Sequence, residues 1–61
     1  MPVVTLQARA LPLEKKRELV DKLTALVVEH CSVPASAVTV FIEEYPSENI
    51  GVAGCLLSDR K

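Results

Sequence analysis

Residues 3–8 alternate strictly, with Val4, Leu6 and Ala8 on one face and Val3, Thr5 and Gln7 on the other. That is the two-residue period of a β-strand with one face turned to a core. After Arg9-Ala10-Leu11 the period changes to that of a helix. Between Pro12 and about Cys31 the residues Leu19, Val20, Leu23, Leu26, Val27 and His30/Cys31 recur at three- and four-residue spacing as one apolar stripe, and charged residues fill the rest. Pro12 suits the first helical position, where its missing N–H would have no partner anyway. The run Glu14-Lys15-Lys16-Arg17-Glu18 predicts two solvated turns, with Glu18 and Lys22 at a supportive i,i+4 spacing. Ser32-Val33-Pro34 ends the helix because the residue before a proline avoids the α region, and Ala35-Ser36-Ala37 has room for one further turn. Residues 38–45 form a second strand, rich in β-branched and aromatic residues. Its Val38, Val40 and Ile42 face one way, and Thr39, Phe41, Glu43 and Tyr45 the other. Pro46-Ser47-Glu48-Asn49 is a turn by composition. Residues 50–57 mix small and apolar side chains and hold both glycines, as a short hairpin or bent ribbon with closely approaching backbones would require, and residues 58–61 are a polar tail.

Strand, long helix, strand implies a right-handed crossover and a parallel pair. The expected class is therefore α+β: one domain over residues 1–61, a β-α-β unit with two parallel strands, one long helix and a C-terminal hairpin or ribbon. Such a unit has two open edges and an uncovered face, and parallel sheets need both faces covered. A chain of 61 residues buries only about 60% of its unfolded surface, yet 49% of this one is hydrophobic. The surplus predicts subunit interfaces, with the glycine-rich ribbon as a strap onto a neighbour.

Charge and cysteine content narrow the classes further. The formal net charge is -1, and no basic stripe interleaves with aromatics, so nucleic acid is not the expected partner. No apolar run approaches the length of a bilayer span. Cys31 and Cys55, without a secretory signal before them, read as reduced packing residues of a cytoplasmic protein. Together with His30 they lack the paired spacing of metal ligands, so neither a metal nor another cofactor is implied. His30 itself reads as a structural or exposed histidine at a helix end.

The remaining candidate chemistry lies at the start of the chain. Met1-Pro2 opens the first strand, and removal of Met1 would leave a secondary amine attached to it. An α-amino group titrates at about 7.7–8.0, so a modest apolar or cationic influence makes it a base at neutral pH. With Met1 retained, the Pro2 nitrogen is an amide and has no basic lone pair.

Several pieces in order then resemble the small-subunit tautomerases typified by 4-oxalocrotonate tautomerase. These are Pro2 opening a strand, the Glu14-Lys15-Lys16 helix start, the Val33-Pro34 break, the strand Val38-Thr39-Val40-Phe41-Ile42-Glu43-Glu44 and the ribbon Ile50-Gly51-Val52-Ala53-Gly54. The resemblance runs essentially end to end. It implies subunits assembled as dimers or as a hexamer, a trimer of dimers, and an amino-terminal proline that moves a proton within an enol or dienol acid without a cofactor. Carried over, Pro2 is the catalytic residue. The family's arginines, which hold the substrate's carboxylate, carry over incompletely. The loop arginine's place reads Ala10-Leu11-Pro12, the strand arginine is matched by Thr39, and Arg9 is the cation nearest the first of these sites. The aromatic wall residue of the ribbon is matched by Ile50. Some dehalogenase relatives carry an arginine where Arg9 falls, but their water-activating carboxylate is matched by Val52, which disfavours hydrolytic dehalogenation.

The resemblance thus implies an isomerase acting on small enol acids such as 2-hydroxymuconate or phenylenolpyruvate, with Pro2 catalytic and Arg9, Thr39 and Ile50 binding substrate. The alternative is a weakly active or inactive subunit that assembles with a second chain supplying the arginines. A third reading has Pro2 adding to an aldehyde through an iminium ion, or promoting decarboxylation.

Overall fold

The computed structural model describes residues 1–60; Lys61, the end of the expected polar tail, lies outside the described residues. The elements are β1 (Val3–Ala8), α1 (Leu13–Cys31), β2 (Thr39–Glu44), β3 (Gly51–Val52) and β4 (Cys55–Leu56), with 3-10 turns at Ala35–Ala37, Ser47–Asn49 and Leu57–Asp59. The last of these folds part of the expected tail into a turn.

β1 and β2 pair in parallel, in register from Val3↔Thr39 to Ala8↔Glu44. The ladder runs past both strand ends, because the Thr39 N–H donates to the Pro2 carbonyl (3.1 Å) and the Tyr45 N–H to the Ala8 carbonyl (2.9 Å). Burial follows the alternation in the sequence: Val4, Leu6 and Ala8 are half-buried and Val3, Thr5 and Gln7 exposed. On β2, Val40 and Ile42 are half-buried while Phe41 is exposed.

Two details of the helix depart from expectation, while its end at Cys31 falls where the sequence puts it. Pro12 is extended (ψ 149°) and stands before the helix as its cap rather than inside it, its carbonyl accepting from the Lys15 and Lys16 N–H groups. The apolar stripe is narrower than its spelling. Leu19, Leu23 and Val27 are half-buried, joined by Thr24 and Val28, whereas Val20, Leu26, His30 and Cys31 are exposed. Two strands about 4.8 Å apart cannot cover an apolar stripe that spans 100° or more of a helix. At the far end, Ser32 adopts a left-handed conformation (φ 55°) and its N–H returns to the Val28 carbonyl, so the helix closes on a left-handed residue before the Val33-Pro34 pair is reached. Both cysteines are free, but both are exposed in the subunit rather than packed. One stands at the helix end beyond the reach of the sheet, and the other in the projecting ribbon.

That ribbon is a hairpin, Gly51↔Leu56 and Val52↔Cys55, separate from the parallel sheet. Ala53 (φ 55°) and Gly54 (φ 80°) form its two-residue loop. Positive φ at both loop positions is the geometry whose twist matches that of the flanking strands. Gly54 meets it without strain; the ordinary L side chain of Ala53 does so at a cost of about 1 kcal/mol.

No described residue is fully buried. The subunit measures 43 × 24 × 13 Å with a radius of gyration of 14.9 Å, against about 10.5 Å for a compact domain of this length. It is a plate whose helix-free face is open, exposing Val3 (55%) and Phe41 (53%). No helix among the described residues is long and apolar enough to cross a membrane.

Candidate active site

The parallel ladder divides the candidate residues between two ends of the sheet. At one end Pro2 is half-buried, its carbonyl held by the Thr39 N–H, with Met1 projecting beyond it at 93% exposure. Thr39 is half-buried beside it. At the other end Arg9 and Ile50 meet in a cavity of about 350 Å³ lined also by Gln7, Ala8, Tyr45 and Leu57. Pro2 and Arg9 stand seven residues apart on one extended segment, which at 3.3 Å per residue separates them by about 23 Å. Within one chain the proline and the arginine therefore cannot touch one substrate molecule. Two larger hollows, of about 550 and 480 Å³, flank the helix. They lie among lysine and arginine stems and contain none of the four residues.

Arg9 is placed by the loop that follows it. The Glu44 carboxylate, at the end of β2, accepts from the Leu11 N–H (2.8 Å) and from Lys16 Nζ (2.6 Å), tying the β1–α1 loop to the sheet and to the first turn of the helix. The Lys16 hydrogen bond, and after it the Leu11 N–H, hold the Glu44 carboxyl below the usual carboxylate range. A carboxyl whose folded pKa lies below its unfolded value of 4.5 stabilises the fold fully above that value, and the contribution is lost as pH falls through the folded one. Glu44→Gln should therefore remove part of the loss of thermal stability expected below about pH 4.5 and lower the melting temperature at pH 7. A variant with the parent's acid profile would show that the loop is held by something else.

Tyr45 is the one aromatic residue described in this cavity, and the sequence alone gives it no role. Its hydroxyl donates to Glu43 Oε1 (3.0 Å), which also accepts from Gln7 Nε2 (2.9 Å). Gln7 first and Tyr45 second lower the Glu43 pKa, and the carboxylate in turn raises that of the Tyr45 phenol. Tyr45 thus stays protonated as a donor, with its ring pinned from behind. The available signal was the alternation of β2, which puts Tyr45 on the face of Glu43; the parallel register, continued by the Tyr45 N–H bond to the Ala8 carbonyl, sets it beside Arg9, and the turn at Ser47–Asn49 brings Ile50 and Leu57 to the same strand end. The Leu57 N–H donates to the Ile50 carbonyl (2.8 Å) and Arg60 to the Val52 carbonyl (3.0 Å), holding the ribbon in that place.

Residues 2–60 match the family described as tautomerase enzyme. The chain is 44% identical over 46 residues to a 2-hydroxymuconate tautomerase of Bacillus subtilis, covering 75% of this chain and 74% of that protein. It is 39% identical over 41 residues to a 2-hydroxymuconate tautomerase of Comamonas testosteroni, covering 67% of this chain and 65% of that protein. Among solved structures it superposes on YwhB, a homologue of 4-oxalocrotonate tautomerase, with a TM-score of 0.92 at 38% identity, covering 98% of this chain and all of the other. The β-α-β subunit with its C-terminal hairpin is thus a tautomerase fold.

Proposed function

We propose that this chain, which belongs to the tautomerase enzyme family, interconverts the enol and keto forms of a small enol or dienol acid, with the Pro2 nitrogen carrying the proton. The observation that supports this most is Pro2 itself, fixed through its carbonyl at the head of β1, so that removal of Met1 leaves a secondary amine in a defined place. The unprotonated amine takes the enol hydroxyl proton, the electron pair forms the carbonyl, and the carbon at the far end of the conjugated system takes the proton back from the prolinium ion. No electron leaves the substrate, so the reaction as written calls for no cofactor.

Because Arg9, which lines one cavity with Ile50, lies about 23 Å from Pro2 along β1, the complete site forms between chains, with Pro2 and Thr39 from one and Arg9 and Ile50 from another. An exposed apolar face and the absence of a buried residue among those described support the same assembly, a homo-oligomer for which a hexamer is favoured over a dimer. Arg9 takes the substrate's carboxylate, a charge-assisted contact of about 1.5–3 kcal/mol. Thr39 stands where the 4-oxalocrotonate tautomerases usually carry an arginine, which favours, as the second reading, a weakly active subunit completed by a different chain. The two free cysteines suit a reducing compartment such as the cytoplasm.

The test pairs intact mass with turnover of 2-hydroxymuconate and phenylenolpyruvate. Preparations lacking Met1 should convert an enol acid, and those retaining it should not, since their Pro2 nitrogen is an amide. Equal activity in both forms would remove the proline from the mechanism.

A further inference from the structure

The cavity at the end of β1 has an uneven character that bears on substrate choice. Ile50 and Leu57 give it apolar walls, and among the described residues lining it Arg9 is the one cation and Tyr45 the one aromatic. The Tyr45 ring is not free to swing away, because its hydroxyl is held by Glu43 and Glu43 by Gln7. The cavity therefore offers a fixed aromatic surface beside an arginine, with a carboxylate one hydrogen bond behind the ring. A volume of about 350 Å³ is at the small end of the range for ligand pockets, roughly 300–1,000 Å³.

We infer that this cavity selects monocarboxylic enol acids with a flat apolar tail, above all an aryl group, over linear dicarboxylic dienols, and that Tyr45 is its specificity-determining residue. A single carboxylate pairs with Arg9 while the tail lies against Tyr45, Ile50 and Leu57. The second carboxylate of a linear diacid would have to sit among apolar walls, with the Glu43 charge just beyond the Tyr45 hydroxyl and no second cation among the described lining residues, and an unpaired charge in such a place is disfavoured. An aryl tail gains an offset or edge-on contact with the Tyr45 ring beyond simple burial. This inference rests on the proposed enol–keto activity for its kinetic test, but its binding test stands apart from it.

Turnover of phenylenolpyruvate and of 2-hydroxymuconate is measured for the parent, Tyr45→Leu, Tyr45→Phe and Glu43→Gln. The parent should favour the aryl substrate in kcat/KM. Tyr45→Leu should lose about 5- to 10-fold for that substrate, mainly through KM, with less than a twofold change for the diacid; Tyr45→Phe, which keeps the ring, should retain most of the preference. Glu43→Gln, whose amide oxygen still accepts both hydrogen bonds, should improve the diacid alone. Equal losses for both substrates in Tyr45→Leu would mark Tyr45 as merely structural and overturn the inference.

The chain has one tyrosine and no tryptophan, so its intrinsic emission reports this cavity directly. Titration of the parent with 3-phenylpropionate should change that emission saturably, and adipate should do so only at much higher concentration. Indifference to 3-phenylpropionate, or equal response to both, overturns the inference whatever turnover shows. Absence of turnover with either substrate, alongside a saturable response to 3-phenylpropionate alone, would instead overturn the proline mechanism and uphold the cavity's selectivity.

Discussion

Replacing Pro2 by alanine is expected to lower kcat for enol–keto conversion by about 10²-fold, while helix content and oligomer size stay those of the parent. A positioned general base contributes about 10²–10⁴-fold, and alanine falls at the low end because the processed variant still ends in an α-amine. What alanine loses is placement. The proline ring locks rotation about N–Cα and so fixes the direction of the nitrogen's lone pair, whereas the amine of an alanine terminus rotates freely about the same bond. The structural contact of residue 2 is unaffected, since the Thr39 N–H bonds to its carbonyl, which alanine retains. Retention of Met1 is the stronger perturbation, because it removes the base altogether and exposes the full range. The measurement is single-substrate kinetics on preparations whose amino terminus is verified by mass, with far-ultraviolet circular dichroism and sedimentation as controls. Parent-like turnover in Pro2→Ala would place the base elsewhere.

How much of this site the sequence disclosed depends on the kind of signal each residue leaves. The alternation of β1 and β2 stated which side chains face the helix, and burial of Val4, Leu6, Val40 and Ile42 follows it. Periodicity overstated the helix stripe, because it counts apolar residues and not the width of what covers them; Val20 and Leu26 are apolar by spelling and exposed in the fold. Pro2 stands out by its own chemistry, whereas Arg9, Thr39 and Ile50 enter through a family resemblance that names positions without saying which of them share a subunit's surface. Only the strand register, with Pro2 at one end and Arg9 at the other, makes a site between chains the natural reading. Tyr45 was overlooked for the opposite reason. Arg9 meets it only through the parallel register of β1 and β2, and Ile50 and Leu57 only through the turn at Ser47–Asn49.

Phe41→Lys is expected to abolish assembly and, with it, cooperative folding. Phe41 is paired with Thr5 in the middle of the sheet face that the helix does not cover, and it is 53% exposed in the subunit. A large aromatic side chain with its flanking Val3 in water represents burial still to be made, worth about 1.5–3 kcal/mol for such a side chain when fully enclosed. Lysine forfeits that gain and, in any assembly that covers this face, leaves a buried ammonium with no designed partner, a penalty of several kcal/mol. Closed symmetry repeats both effects at every copy of the interface. With no fully buried residue among those described and a radius of gyration of 14.9 Å, the subunit has little core of its own, so dissociation and unfolding should be a single event whose midpoint in the parent rises with protein concentration. Sedimentation should show the variant as a monomer, and its thermal transition should be broad or absent. Phe41→Leu keeps an apolar side chain and should still assemble, with a lower midpoint. If Phe41→Lys sediments and melts like the parent, the outer face of the sheet is not where the chains meet, and a site shared between chains would have to be built along the helix or the ribbon instead.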